Sequence, residues 1–86
     1  MYRIFSKATF VKQARRLSRD HYELLKKKIA LLKYKANHSS LKVHKLHGEF
    51  NECHSFSLDY GLRVIFKFES KREISLLAVG NHDIYK

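Results

Sequence analysis

The chain has 86 residues, of which 44% are hydrophobic, and its 18 Lys and Arg against 8 Asp and Glu give a formal net charge of +10. This length fits a single domain over residues 1–86 with a modest core, and the lone Cys53 excludes a framework of internal disulfides. No apolar run approaches the ~20 residues of a membrane span, and basic residues interrupt the N-terminal segment where a secretory signal needs an apolar core, so we expect a cytoplasmic protein.

The basic residues are concentrated in one half of the chain. Residues 1–50 hold thirteen Lys and Arg against three Asp and Glu, whereas residues 51–86 hold five of each kind. A solvated surface normally mixes the two signs more evenly. The segregation therefore favours a polyanionic partner, which is nucleic acid, an acidic protein or an anionic membrane surface.

The first half of the chain predicts one strand and two basic helices. Residues 2–6 alternate as a short strand, and Ser6 has the chemistry to cap a first helix. Asp20 followed by Glu23 looks like a capping box that opens a second helix reaching Ala36. The apolar residues of both helices recur at steps of three and four: Phe10, Val11, Ala14 and Leu17, then Tyr22, Leu25, Ile29 and Leu32. The short break between them favours an antiparallel hairpin.

A polar segment links the helices to the second half of the chain. Residues 37–40 are rich in turn formers and are expected to end the second helix. We predict that residues 41–48 form an extended, strongly basic connector, in which Leu41 and Val43 tuck under the core while Lys42, His44, Lys45 and His47 face outward.

From Glu52 onward the polarity pattern has the period of two that is typical of strands. One side of the first two strands is formed by His54, Phe56 and Leu58, then by Leu62, Val64, Phe66 and Phe68. Arg63 and Lys67 fall on the opposite side, and a tight turn at 59–61 joins the two strands. The last strand, 74–79, is apolar on both faces except at Ser75, as expected for an interior strand.

These elements predict an α+β domain in which an N-terminal strand and a basic antiparallel helical hairpin pack on one face of a mainly antiparallel sheet. The helices should cover the side that carries Val64 and Phe66. Arg63 and Lys67 should then lie on an open face, bordered by the connector at 42–47 and by the tail at 80–86.

Arg63 is the first candidate for chemistry. An arginine in an otherwise apolar strand offers a fixed fork of donors that suits a phosphate or an oxyanion. The alternative is a surface arginine paired with Asp59 or Glu69.

The histidines and the last tyrosine are candidates for acid/base work. Imidazole titrates near neutrality, which recommends His54 and His82. His54 shares its side of the strand with Phe56, which favours a structural role for it, whereas His82 follows a strand end and stands next to Asp83. Tyr85 has the chemistry to donate to a phosphate, to act as an acid or base or to stack on a nucleobase, or else it covers the end of the core.

A metal or thiol centre is not expected. His44-x-x-His47 and Cys53-His54 raise the question of zinc, but structural zinc normally uses paired cysteines and the chain has one. Cys53 has no identifiable partner that would orient it as a nucleophile. We predict no metal and no cofactor.

Three segments resemble the RelE/ParE superfamily of toxins from toxin–antitoxin modules. They are Leu46-His-Gly48, Tyr60-Gly-Leu-Arg-Val-Ile-Phe66 and Val79-Gly-Asn-His-Asp-Ile-Tyr85. With the first strand and the basic helical hairpin before them, the resemblance covers nearly the whole chain. The last segment is similar to the Gly-x-His ending of the YafQ-like branch.

The resemblance implies a ribosome-dependent endoribonuclease, an mRNA interferase of a bacterium or archaeon, which is neutralised by an acidic antitoxin. It would cleave mRNA in the ribosomal A site, against the 16S rRNA surface, without metal, cofactor or membrane, and with the RNA 2′-OH as nucleophile. On this basis Arg63 stabilises the phosphate and His82 acts as acid or base, with His54 and Tyr85 as further catalytic candidates. The expected contacts to RNA or its phosphates are Lys42, Lys45, His47 and Asp59.

Two other functions stay open at this point. ParE-type relatives share the fold without the nuclease and act on DNA gyrase. A plain basic RNA-binding module would bind RNA with a steep salt dependence and without toxicity. The combination of Arg63, His82 and Tyr85 favours the nuclease.

Overall fold

Five strands form one mixed sheet in the computed structural model, which describes residues 1–81 and 84. The strands are β1 (Arg3–Ser6), β2 (His44–Lys45), β3 (His54–Asp59), β4 (Leu62–Ser70) and β5 (Glu73–Gly80), and the helices α1 (Ala8–Ala14) and α2 (Arg19–Leu32) lie between β1 and β2 in the chain. The order across the sheet is β1-β5-β4-β3-β2, with β1 parallel to β5 and the other neighbours antiparallel. The predicted α+β fold with a mainly antiparallel sheet is confirmed.

β5 is the interior strand that its apolar pattern predicts. It lies between β1 and β4, and Ile74, Leu76 and Val79 are buried. The pairing with β4 shifts by one residue between Ala78 and Leu76. This bulge is the reason that Val79, rather than Ala78, joins the core.

The core lies between the helices and one face of the sheet. Phe10 and Ala14 of α1 and Leu25 and Leu32 of α2 belong to the same buried cluster as the sheet residues Phe56, Leu58, Val64, Phe66, Ile74, Leu76 and Val79. Leu62 and Phe68 pack at its margin. The prediction that the Val64 and Phe66 side of β4 faces the helices is confirmed.

The opposite face is less open than predicted. Arg63 and Lys67 alternate with Val64 and Phe66 along β4 and therefore lie on this face. At its centre, however, Ser55, Ile65 and Ser75 are only 0%, 2% and 4% exposed. The more accessible residues of this face, among them Arg63, Lys67 and Phe5, lie around this buried centre.

The helix starts differ from the sequence prediction. Ser6 is the last residue of β1, and the cap position of α1 is Lys7, which makes no side-chain cap hydrogen bond. α2 is capped by Ser18, whose hydroxyl accepts from the backbone N–H of His21 at 3.2 Å, so the Asp20–Glu23 capping box is wrong. Asp20 instead lies in the first turn of α2, where its negative charge interacts favourably with the helix dipole.

α2 also ends at Leu32 and not at Ala36, because two side chains and the backbone N–H of Tyr2 take up the carbonyl groups at its end. Asn37 donates to the carbonyl of Leu31 at 2.9 Å, and the His38 ring donates to that of Leu32 at 2.8 Å. The N–H of Tyr2 donates to Lys33 at 2.8 Å. These partners replace the next helical turn.

The basic connector is confirmed in its exposure and corrected in its structure. Leu41 is buried and Val43 packs on the core, while Lys42, His44, Lys45 and His47 are exposed. His44 and Lys45 form the short strand β2 at the edge of β3, which a two-residue pattern could not reveal. No helix in the described residues is long and apolar enough to cross a membrane.

Candidate active site

Arg63 lies at one end of the sheet between two neighbouring strands. Its register partners are Ser57 on β3 and Gly80, the last residue of β5. The side chain is half-buried, and Nη1 donates to Ser57 Oγ at 3.3 Å. A guanidinium has five N–H donors, and within residues 1–81 the Ser57 hydroxyl is the one acceptor that Arg63 reaches.

The alternative of a paired surface arginine does not hold within the described residues. Asp59 binds His21, with 2.9 Å between Oδ2 and Nε2. Glu69 accepts from Ser75 Oγ at 2.8 Å and lies 3.9 Å from Lys67 Nζ. No carboxylate of residues 1–81 forms an ion pair with Arg63.

A basic groove adjoins Arg63 through Ser57. While the Ser57 hydroxyl accepts from Arg63, its carbonyl accepts from Lys28 Nζ at 3.0 Å. The groove has a volume of about 570 Å³ and is lined by Lys28, Leu31, Ser40, Leu41, Lys42, His44 and Ser57. Lys42 has a φ of 58°, and its carbonyl accepts a hydrogen bond from His44 Nδ1 at 3.1 Å. The structure thus brings Lys42, but not Lys45, to the groove that contains Ser57, the hydrogen-bond partner of Arg63.

Ile84 lies back against the end of β5. The N–H of Ile84 donates to the carbonyl of Asn81 at 3.1 Å. A Cβ atom placed on Gly80 would lie 2.6 Å from Ile84 Cγ2, so the isoleucine packs directly over the glycine. His82 and Tyr85, two of the predicted catalytic residues, lie outside the described residues.

Gln13 of α1 fixes the last part of β5 and was missed by the sequence analysis. β1 ends at Ser6, opposite Leu76, so β5 continues beyond its neighbour. There Gln13 Oε1 accepts from the N–H of Val79 at 2.9 Å and takes the place of the missing strand. Gln13 follows the buried Phe10 by three residues and so lies on the core side of α1. This spacing was the feature of the sequence that could have identified it.

His54 is held on the other face of the sheet from Arg63. It pairs with Phe66, and its ring stacks on Phe66 at 5.9 Å and meets the edge of Phe68 at 4.8 Å. Nδ1 is buried and has no hydrogen-bond partner among the described residues. Since the register places Lys45 opposite His54, these two lie together, away from Arg63.

The pKa of His54 is lowered by burial first and then by the positive charges of Lys45, His44 and His38. The unfolded chain therefore takes up a proton at a higher pH than the folded protein does. The contribution of His54 to the free energy of unfolding is fully present above the ordinary histidine pKa of about 6.5. It is lost as the pH falls from there to the lower pKa of the folded protein. We expect the urea midpoint to decrease over this window.

His54→Phe should reduce that pH dependence, because phenylalanine fills the site between Phe66 and Phe68 without titrating. The exposed His47→Gln is the matched control and should keep it. Urea unfolding at a series of pH values, followed by circular dichroism, measures both. Equal pH profiles for wild type and His54→Phe would refute the assignment.

Asp59 is engaged in the turn between β3 and β4. Its Oδ1 accepts from the N–H of Tyr60 at 2.7 Å, and Oδ2 binds His21, which also lies 3.1 Å from the capping hydroxyl of Ser18. The hydrogen bond from His21, followed by that from Tyr60, lowers the pKa of Asp59. The carboxylate therefore ties the turn to the start of α2, while the ring of Tyr60 stays fully exposed at the tip.

His47 and Cys53 have no visible chemical partner for catalysis in the described part of the chain. His47 is exposed before the short 3-10 helix Gly48–Phe50 and makes no capping bond. Burial, with Glu52 adding to it and Lys67 opposing it, raises the pKa of the Cys53 thiol, which disfavours the reactive thiolate. Residues 1–81 and 84 contain no group of three or more His, Cys, Asp or Glu residues that could hold a metal ion.

Comparison with known proteins finds similarity in structure. No protein-family model matches the chain, and no curated protein matches it. The structure is similar to YafQ from E. coli strain BL21(DE3), with a TM-score of 0.81 and 16% identity over 99% of this chain and 98% of that one. It is also similar to the archaeal RelE–RelB complex from Pyrococcus horikoshii OT3, with a TM-score of 0.75 and 24% identity over 93% of each chain.

The E. coli DinJ–YafQ toxin–antitoxin complex gives a TM-score of 0.75, with 18% identity over 96% of this chain and 94% of that one. These matches span at least 93% of each chain. At these identities they concern the fold, which is that of the RelE and YafQ proteins. The resemblance inferred from the sequence is confirmed at that level.

Proposed function

We propose that this protein is the toxin of a toxin–antitoxin module and acts in the cytoplasm as a ribosome-dependent, metal-independent mRNA endoribonuclease. The observation that carries the proposal is Arg63. In a fold shared with YafQ and RelE, its half-buried guanidinium is free of carboxylate partners among the described residues. It also stands opposite Gly80, from which the chain continues directly to His82 and Tyr85.

The reaction needs three kinds of group. A base takes the proton of the RNA 2′-OH, whose oxygen then bonds to the neighbouring phosphorus, and an acid gives a proton to the 5′-oxygen as its bond to phosphorus breaks. Negative charge builds up on the phosphoryl oxygens between these steps. A rigid fork of N–H donors stabilises that charge, because it is in place before the reaction begins.

We assign phosphate stabilisation to Arg63 and acid/base work to His82, with Tyr85 as the second proton donor or acceptor. His54 is left out of the site because it faces the helices and packs on Phe66. Asp59 supports the site by holding the turn next to Arg63 rather than by touching RNA.

The basic groove beside Ser57 gives the RNA a path to Arg63. Lys42 and His44 line the groove, and Lys45 and His47 are exposed next to it in sequence. Their charges attract the phosphate backbone, and the exposed Tyr60 ring offers a surface for base stacking.

An acidic antitoxin is the proposed protein partner. Two of the similar structures are complexes, one named RelE–RelB and the other a DinJ–YafQ toxin–antitoxin complex. In this chain the segregated positive charge of residues 1–50 supplies the complementary surface.

The function is tested by primer extension on a message in a purified translation system. We expect new 5′ ends within the translated region when the protein is added, because the ribosome presents the mRNA to the site. A copy of the same message without a ribosome-binding site is the control and should stay intact. Cleavage of both messages alike would contradict ribosome dependence, and inhibition of gyrase supercoiling without any cleavage would select the ParE-like alternative.

A further inference from the structure

A second basic pocket lies at the far end of the sheet from Arg63. It has a volume of about 430 Å³ and is lined by Met1, Tyr2, Lys35, Lys71 and Arg72. Lys71 and Arg72 precede β5, whereas Gly80, the partner of Arg63, ends it. Because a strand rises about 3.3 Å per residue, the pocket and Arg63 are separated by roughly 25 Å.

The walls of this pocket are joined by backbone hydrogen bonds to the start of β1. The N–H of Tyr2 donates to the carbonyl of Lys33 at 2.8 Å, and Lys33 is two residues before Lys35. The N–H of Arg3 donates to the carbonyl of Arg72 at 2.7 Å. The Tyr2 ring is stacked on His38 with 5.5 Å between the ring centres. Three segments distant in sequence are thus held around one cavity, so its shape is set by the fold.

The positive charge of the pocket is not neutralised by its neighbours in the described chain. Lys35, Lys71 and Arg72 are exposed and form no ion pair with residues 1–81. Glu73, the next residue after Arg72, is engaged by Arg3 at 3.7 Å and by Ser70 at 3.1 Å. Three cations therefore surround a polar cavity without a counter-ion from residues 1–81.

We propose that this pocket binds a backbone phosphate of RNA, as a contact separate from the one at Arg63. A phosphate presents several oxygens in a tetrahedral arrangement, which suits cations that approach from different segments, whereas a single carboxylate would be satisfied by Arg72 alone. The distance of roughly 25 Å means that one mononucleotide cannot reach both sites. The pocket would hold an RNA away from the segment bound at Arg63.

Binding of RNA at this pocket does not require the nuclease activity, so it is measured separately from cleavage. The first measurement is fluorescence anisotropy of a labelled, unstructured RNA over a range of KCl concentrations. The test variant is Lys71→Ala/Arg72→Ala, and the matched control is Lys12→Ala/Lys27→Ala, which removes the same charge from exposed helix positions outside the pocket. Thermal unfolding checks that all proteins are folded.

We expect the pocket variant to bind RNA about tenfold more weakly at physiological salt, and the slope of log affinity against log salt to become shallower by roughly one. The control should lose much less. Equal losses in the two variants would mean that only overall charge matters, and would overturn the proposal. So would unchanged affinity in the pocket variant.

A second measurement identifies the ligand chemistry. Inorganic phosphate is titrated into the ¹⁵N-labelled protein, and we expect saturable shifts of the amide signals of Tyr2, Lys35 and Arg72 that are lost in the pocket variant. Polyglutamate is the competitor for an acidic protein partner. If the pocket variant lost polyglutamate binding while its RNA affinity stayed unchanged, the surface would belong to an acidic protein and the RNA proposal would fail.

Discussion

Arg63→Ala is expected to slow ribosome-dependent mRNA cleavage about 10²–10³-fold, which is the usual effect of removing one preorganised donor from a charged transition state. The guanidinium makes one hydrogen bond of 3.3 Å to Ser57 and no ion pair within the described residues. Its loss should therefore change the free energy of unfolding by no more than about 1 kcal/mol. Primer extension gives the rate, and urea unfolding gives the stability.

Two control variants make this result specific. Lys67→Ala removes a cation from the same strand and the same face, where it is paired with Glu52 at 3.4 Å and Glu69 at 3.9 Å, and it should leave cleavage nearly unchanged. Arg63→Lys keeps the charge but loses the planar fork, so an intermediate rate is expected. If Arg63→Ala cleaved at the wild-type rate, phosphate stabilisation by this residue would be ruled out.

Gly80→Ala is expected to reduce cleavage by about 10- to 100-fold by displacing Ile84 from the end of β5. The new methyl carbon would lie 2.6 Å from Ile84 Cγ2, too close for any real contact. Gly80 does not have a positive φ, so the effect is steric and not a matter of backbone strain. A displacement of about 1 Å at a reacting group is enough for such a loss, and the crowding should cost roughly 1–3 kcal/mol of stability.

Ile84→Ala provides the compensating change. It removes the Cγ2 atom that the new methyl group meets, so the double variant Gly80→Ala/Ile84→Ala should cleave as well as Ile84→Ala alone. If the double variant stayed as impaired as Gly80→Ala, a clash with Ile84 would not be the cause. Rates from primer extension on the four proteins complete the cycle.

The sheet was largely predictable because burial leaves a direct trace in a strand. The alternation around Val64 and Phe66 identified the face of β4 that packs on the helices, and so placed Arg63 on the other face. The same alternation placed His54 beside Phe56, where the ring indeed packs among phenylalanines. For His54 the strand pattern thus predicted the packing of the ring.

What the sequence did not reveal depends on single hydrogen bonds and on contacts between distant segments. Ser18 and Asp20 are both able to cap a helix, and only the path of the chain after Leu17 decides between them. The bond from Val79 to Gln13 joins residues that lie far apart in sequence. The basic pocket needs Tyr2, Lys35 and Arg72 to meet, which no local pattern encodes.

The position of β5 in the sheet has a consequence for synthesis of the protein. This interior strand comes last in the chain order of the strands, yet both β1 and β4 pair with it. During translation the first strand and the helices emerge well before their central neighbour, and such non-local pairing forms slowly. The sheet can close only after Gly80 has left the ribosome that makes it. If the proposed function is right, the protein would be harmless to its own messenger until this strand has left the ribosome.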